Sequence, residues 1–244
     1  MRVVSYNIHK GIGGRDRRYR FERIAEVIEH LQPDVVCLQE VDHNVRRTRF
    51  DHQPDLLAAR LNAVDAFYQH NVHLKMGGYG NLIISGWPFR SKHQISLRLK
   101  SKKPRGAQAV VIDTPQGPLH LVNWHLGLAE RERSWQVHHL LTHSSFREAH
   151  ELPTLIIGDY NDWRNRLKHE SFAEHGFEQI TSPPSRFRSF PAYLPLGSLD
   201  KAFYRGAISI DRAFIAHSAL AKNASDHLPL VVDFDLGSNG SAGV

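Results

Sequence analysis

The chain has 244 residues, 41% hydrophobic and 23% charged, enough to bury a sizeable core as one large domain or two small ones. Its 31 Lys and Arg against 25 Asp and Glu give a net charge of +6, which suits an anionic partner and equally describes many soluble proteins. The single cysteine, Cys37, excludes an internal disulfide, and no apolar run approaches the roughly 18 to 20 residues of a membrane span.

The opening segment "MRVVSYNIHK" is already strand-like and is not a basic stretch followed by a long apolar one, so a soluble cytoplasmic protein is expected. "RFERIAEVIEHL" then sets Phe21, Ile24, Ile28 and Leu31 on one helical face, and Pro33 ends it. "DVVCLQ" follows as a strand, with Cys37 as a small core residue. A short helix is expected in "DLLAARLN", and strands in "NLIISG", "AQAVVID" and "LHLVNW". One helix is expected over 129–150, "TLIIGD" is the next strand, and a further short helix is expected from about Arg166 to His175. The strands "DRAFIA" and "LVVDFDL" complete a domain over 1–236, and the Gly/Ser-rich 237–244 reads as a flexible tail.

The chain echoes itself. "VVSYNIH", a helix and "DVVCLQE" match "LHLVNWHLG", a helix and "TLIIGDYN": strand, polar tip, helix, strand, acidic tip. Asn7 and Glu40 stand 33 positions apart, His125 and Asp159 34, which favours two similar halves packed face to face. If the strands form sheets, the residues at their C-terminal ends gather on one edge, where layered α/β folds place ligands. The tips are Asn7 with His9, Glu40, Asn81, His125, Asp159 with Asn161, Asp200, and Asp226 with His227. Carboxylates and amide oxygens suit Mg²⁺, Mn²⁺ or Ca²⁺, while histidines and amide NH₂ groups can donate to phosphate oxygens. Taken singly, the asparagines read as turn residues and the histidines as structural or surface groups. "SDHLP" is not a helix cap, because Pro229 and a strand follow it.

"SYNIH", "LQE", "GDYND", "LDKAF" and "SDHLP", in this order across nearly the whole chain, resemble the endonuclease/exonuclease/phosphatase superfamily. "YGNLIIS", "RGAQAV", "NWHLGL" and "FPAYLPLGSLDKAF" look most like its small bacterial YbhP-type branch. The resemblance implies a DNase I-like, four-layered α/β sandwich of two mixed sheets flanked by helices, and a divalent-metal phosphohydrolase using Mg²⁺ or Mn²⁺. It further implies Glu40 as the main metal ligand, with Asn7 and Asp226 beside the ion. Asp159 would position or deprotonate the attacking water, and Asn161 would bond a phosphoryl oxygen. His227, oriented by Asp200, would donate to the phosphate or move a proton; whether Asp159 or His227 is the general base stays open. His125 and Asn81 would hold the remaining oxygens. His9 stands where an abasic-site endonuclease has an acid, which favours one metal ion over two.

Basic loops, "GRDRRYR", "RRTR", "KSKKPR" and "RFR", read either as solvated surface or as a rim for polyanions, with Tyr19, Phe187, Phe190 and Tyr193 able to stack or simply to pack. Arg105 is the expected phosphate ligand among them. The substrate is accordingly a phosphoester: nucleic acid on one reading, a lipid head group or small phosphoester on the second, with a non-catalytic binding module third. A monomer is expected.

Overall fold

The computed structural model describes residues 1–167 and 171–237, so most of the expected tail and the centre of the helix expected near 166–175 lie outside the described residues. Among the described residues, twelve strands form two six-stranded sheets. The first sheet contains β1 (Arg2–Asn7), β2 (Val35–His43), β3 (Asp65–His73), β4 (Gly78–Ser85), β11 (Ile208–Ile215) and β12 (Leu230–Leu236), in the order β11-β12-β1-β2-β4-β3. The second contains β5 (Phe89–Ser96), β6 (Gly106–Thr114), β7 (Gly117–His125), β8 (Thr154–Asp159), β9 (Glu178–Gln179) and β10 (Asp200–Arg205), in the order β5-β6-β7-β8-β10-β9.

The two orders are one pattern used twice. β1 runs parallel to β2 and β7 parallel to β8, and every other neighbouring pair is antiparallel. A parallel pair needs a crossover. α1 (Phe21–Leu31) supplies the first; α2 (Gln53–Arg60) lies between β2 and β3, and α3 (Glu130–Thr142) with α4 (Ser144–Arg147) supplies the second crossover. The internal echo of the sequence is therefore a structural duplication.

Apolar residues from both sheets, among them Val3, Val35 and Leu82 on one side and Val110, Leu121 and Ile157 on the other, share one core. Ile24 and Ile28 bury the outer face of the first sheet under α1, while Val137, Leu140 and Phe146 cover the second. The central strand β8 is buried at every residue, which is why "TLIIGD" shows an unbroken apolar run. An amide seam crosses the core: Gln39 Nε2 donates to Asn123 Oδ1 at 2.8 Å, and Asn123 Nδ2 donates to Leu38 O and to Gln108 Oε1.

Three expectations need correction. The helix over 129–150 breaks at His143, whose backbone is extended and whose ring nitrogen accepts from Ser145 N to start α4. β3, β5, β9 and β10 were not expected as strands: β3 and β5 are sheet edges with polar, partly exposed residues, β9 is only two residues long, and β10 opens on the charged Asp200 and Lys201. The site residues also do not all end strands. Asn81 lies inside β4, Asp200 opens β10, and Asp226 and His227 precede β12. Antiparallel neighbours bring their N-terminal ends to the edge where β1, β7 and β8 end.

Candidate active site

β8 delivers Asp159 through a close approach. Gly158 has φ +149°, and a Cβ there would lie 2.2 Å from Trp124 O, so only glycine lets β7 and β8 deliver His125 and Asp159 side by side in register. Tyr160 turns away and packs on Trp124, Phe172 and Phe203. The two acids of "GDYND" are thereby set apart. Asp162 is buried, accepts from Leu167 N at 3.2 Å and faces Arg133, in keeping with a loop or cap role. Trp163, next in the chain, is 59% exposed and edge-on to Phe190.

Asp159 is the hub. Its Oδ2 lies 3.0 Å from Asn7 Nδ2, 3.3 Å from His125 Nε2 and 3.8 Å from His227 Nε2, and its Oδ1 accepts from Asn161 N at 2.9 Å. His227 Nδ1 sits 2.8 Å from Asp200 Oδ2, which also accepts from Ser189 Oγ. Ser225 Oγ donates to the Asn7 carbonyl at 2.7 Å and fastens the "SDHLP" loop to β1. Asn7, His125, Asp159, Asn161, Asp200 and His227 are all buried and form one connected cluster.

Burial and charge set the ionisation. Burial pushes the Asp159 carboxyl above its ordinary value, only partly opposed by the His227 charge. Burial works against the His227 imidazolium, but Asp200 and Asp159 outweigh it and raise the group to about 10. Burial and the neighbouring Arg105 hold His125 well below its ordinary value, hence neutral. Lys201, buried beside these acids, is pulled down to about 8 by desolvation against the pull of Asp162, Asp200 and Asp159.

Glu40 reaches the site differently. β2 does not end there. A register shift against β4 between Leu38 and Val41 places Glu40 at φ 56° in a bulge, and the strand continues to His43. In register, Asn7 pairs with Gln39, as His125 pairs with Asp159, so the counterpart of Asp159 is Gln39 and the sequence echo is displaced by one residue. Lys10 Nζ closes onto Glu40 Oε2. Burial acts to raise Glu40, but the Lys10 and Lys103 charges help hold it well below the usual carboxylate range.

Other expected residues stand further from the hub. His9 contacts Ile12 O at 2.9 Å and lies 3.8 Å from Asp226 Oδ2, and its backbone N–H donates to Asn7 Oδ1. Asn81 donates to Gly106 O at 3.0 Å, and Asn161 Nδ2 donates to Leu126 O at 2.9 Å, so both spend a donor on backbone. Arg105 is 6% exposed, and its guanidinium has no hydrogen bond or ion pair among the described residues. Lys10, Ser189 and Lys201 went unnoticed in the sequence. Lys10 and Lys201 directly follow flagged residues, whereas Ser189 carries no local signal. Of the aromatics, Phe187 is buried core and Phe190 packs on the His227 ring, while Tyr193 is 57% exposed.

The Endonuclease/Exonuclease/phosphatase family model matches residues 4–227. The chain belongs to the endonuclease/exonuclease/phosphatase family. Among curated family relatives, the uncharacterized protein YbhP of Escherichia coli K12 is 29% identical over 249 residues, covering 96% of each chain. Among solved structures, the endonuclease/exonuclease/phosphatase from Beutenbergia cavernae superposes with TM-score 0.81 at 23% identity, over 97% of this chain and 72% of that one. The human Nocturnin catalytic domain with bound sulfate does so with TM-score 0.76 at 22% identity, over 97% and 94%. This family fold is the DNase I-like layered α/β sandwich. Among the described residues, no helix is long and apolar enough to cross a membrane.

Proposed function

We propose that residues 1–236 form one catalytic domain that hydrolyses a phosphoester, most simply a phosphodiester, by in-line attack of water. The observation that carries this reading is Arg105, a residue 6% exposed whose guanidinium, its Nε fully buried, has no hydrogen bond or ion pair among the described residues, and whose charge acts on His125 beside Asp159. An unpaired buried cation costs several kcal/mol, and a phosphoryl oxygen would offset that cost with a charge-assisted hydrogen bond. The sulfate bound by the Nocturnin catalytic domain is an anion of this shape.

In this reading Asp159, made more basic by burial and fixed by Asn7 and the Asn161 N–H, orients the water and takes its proton. His227, kept charged between Asp200 and Asp159, donates toward the phosphoryl or leaving oxygen. Arg105 and neutral His125 hold the non-bridging oxygens. Ser189 and Asp200 fix the His227 ring.

Glu40, with Asn7 and Asp226, would hold Mg²⁺ or Mn²⁺. Among the described residues no group of three or more His, Cys, Asp or Glu side chains could hold a metal ion, so the set fits an ion bound by few protein ligands and several waters. The donors are all hard oxygens, and the left-handed bulge at Glu40 places its carboxylate against a cation, here the Lys10 ammonium. Bound there, the ion would stabilise negative charge growing on the phosphoryl and leaving oxygens.

Turnover of bis-p-nitrophenyl phosphate in Mg²⁺ or Mn²⁺, abolished by EDTA and by Glu40→Ala, is the expected result. Turnover indifferent to both would remove the metal from the mechanism. No turnover of it, of its monoester, of single- or double-stranded nucleic acid or of phospholipid would sink the hydrolase reading.

A further inference from the structure

One cleft shares a wall with the site. It lies where the edge strands β3 and β5 meet, has a volume of about 540 Å³, and is lined by Gln69, His70, His73, Gln94, Arg98 and Arg105 among others, with no acidic side chain. That volume is in the range that takes a nucleotide-sized ligand. Arg105 belongs to both spaces, lining the cleft and acting electrostatically on His125.

The cleft is built, and its polar groups are left open. Gly106 lies directly against two of its lining residues, since a Cβ there would lie 2.3 Å from Asn71 Oδ1 and 2.6 Å from Gln69 Nε2. Gln69 donates to Ile95 O at 3.2 Å, yet its buried Oε1 has no donor. Arg105 Nε, also buried, has no acceptor. The Arg98 guanidinium at the mouth is exposed and has no hydrogen bond or ion pair among the described residues. A ligand satisfying all three must offer anionic oxygens to the arginines and a hydroxyl or amino donor to Gln69.

We infer that this cleft holds a second phosphate of the substrate, carried on a hydroxylated sugar next to the scissile phosphoester. The inference rests on the hydrolase reading above and narrows its substrate to sugar phosphates with at least two phosphates, whether a small bisphosphate or a nucleic-acid strand. Arg105 spans the two phosphates, Arg98 neutralises the second, and Gln69 Oε1 accepts from the sugar.

Equilibrium titration in EDTA, where turnover plays no part, tests the site directly with adenosine 3′,5′-bisphosphate against adenosine 5′-monophosphate. The wild-type protein is expected to prefer the bisphosphate by more than fivefold, and Arg98→Ala to bring that preference below twofold. A wild-type preference under fivefold, no binding of either nucleotide, or a preference of twofold or more surviving in Arg98→Ala overturns the inference. A pentanucleotide binding tighter than the bisphosphate, with a steeper salt dependence, identifies a strand as the source of the second phosphate; equal affinity identifies a small bisphosphate. Because these arms need no catalysis, absence of phosphoesterase turnover would remove the hydrolase reading without producing the same result.

Discussion

The two halves of the molecule repeat one βαβ unit and arrive at carboxylates in opposite states. Asp159 ends β8 without a register shift, is 1% exposed, and burial raises its carboxyl. Glu40 leaves β2 from a bulge beside Lys10 and stays strongly acidic. The residue that occupies the Asp159 register in the first half, Gln39, is a neutral amide holding the sheets together. A duplicated scaffold therefore fixes where a side chain emerges, while local burial and the nearest cation decide its protonation. Separating two carboxyl groups in this way is a familiar route to distinct catalytic roles.

The sharpest way to break this comparison is Asp159→Asn, which keeps shape and removes the proposed base. Turnover of bis-p-nitrophenyl phosphate should fall by on the order of 10³-fold, with a thermal midpoint close to wild type because a buried charge is lost. A rate within tenfold of wild type would assign the base elsewhere. His227→Gln should cost on the order of 10²-fold in kcat.

The same variant reports on charge. His227 titrates near 6.5 unfolded and about 10 folded, so its contribution to stability is complete below about 6.5 and disappears as pH rises toward about 10. The thermal midpoint of metal-free wild type, measured relative to His227→Gln, should decline across that window. A constant difference would mean that the ring is neutral in the folded protein.

Glu40→Gln should leave the fold intact and raise the Mg²⁺ concentration needed for half-maximal activity by at least about tenfold, as weakened metal sites generally do. An unchanged metal requirement would confine Glu40 to its pairing with Lys10. The smallest effect belongs to the neutral counterpart. Gln39→Leu should cost about 1 to 3 kcal/mol in urea unfolding, since it strips the buried Asn123 Oδ1 of the Gln39 donor. Loss of activity at unchanged stability would instead give Gln39 a direct part in the reaction.

Much of this was legible in the chain itself. β1, β2, β7 and β8 are interior strands with short, buried apolar runs, and the polar residues closing such runs stand out against them. The edge strands β3 and β5 could not be read the same way. Their backbone is held by one neighbour, and their side chains are mostly only partly buried in β3 and alternate between partial burial and solvent in β5. The break at His143 was hidden because helical spacing resumes after it.

By itself the sequence determined the repeated βαβ unit and the residue types at the site, because periodicity and apolar runs are local properties of the chain, and its five ordered motifs implied the sandwich through their family resemblance. Only the tertiary structure decided that Asn81, Asp200 and His227 reach the common edge from strand beginnings or strand interiors, and that Glu40 needs a bulge. It alone brought Lys10 onto Glu40 and left Arg105 buried and unpaired. Those outcomes depend on antiparallel pairing, register and desolvation, which arise from contacts between residues far apart in the chain and leave no periodic trace in it.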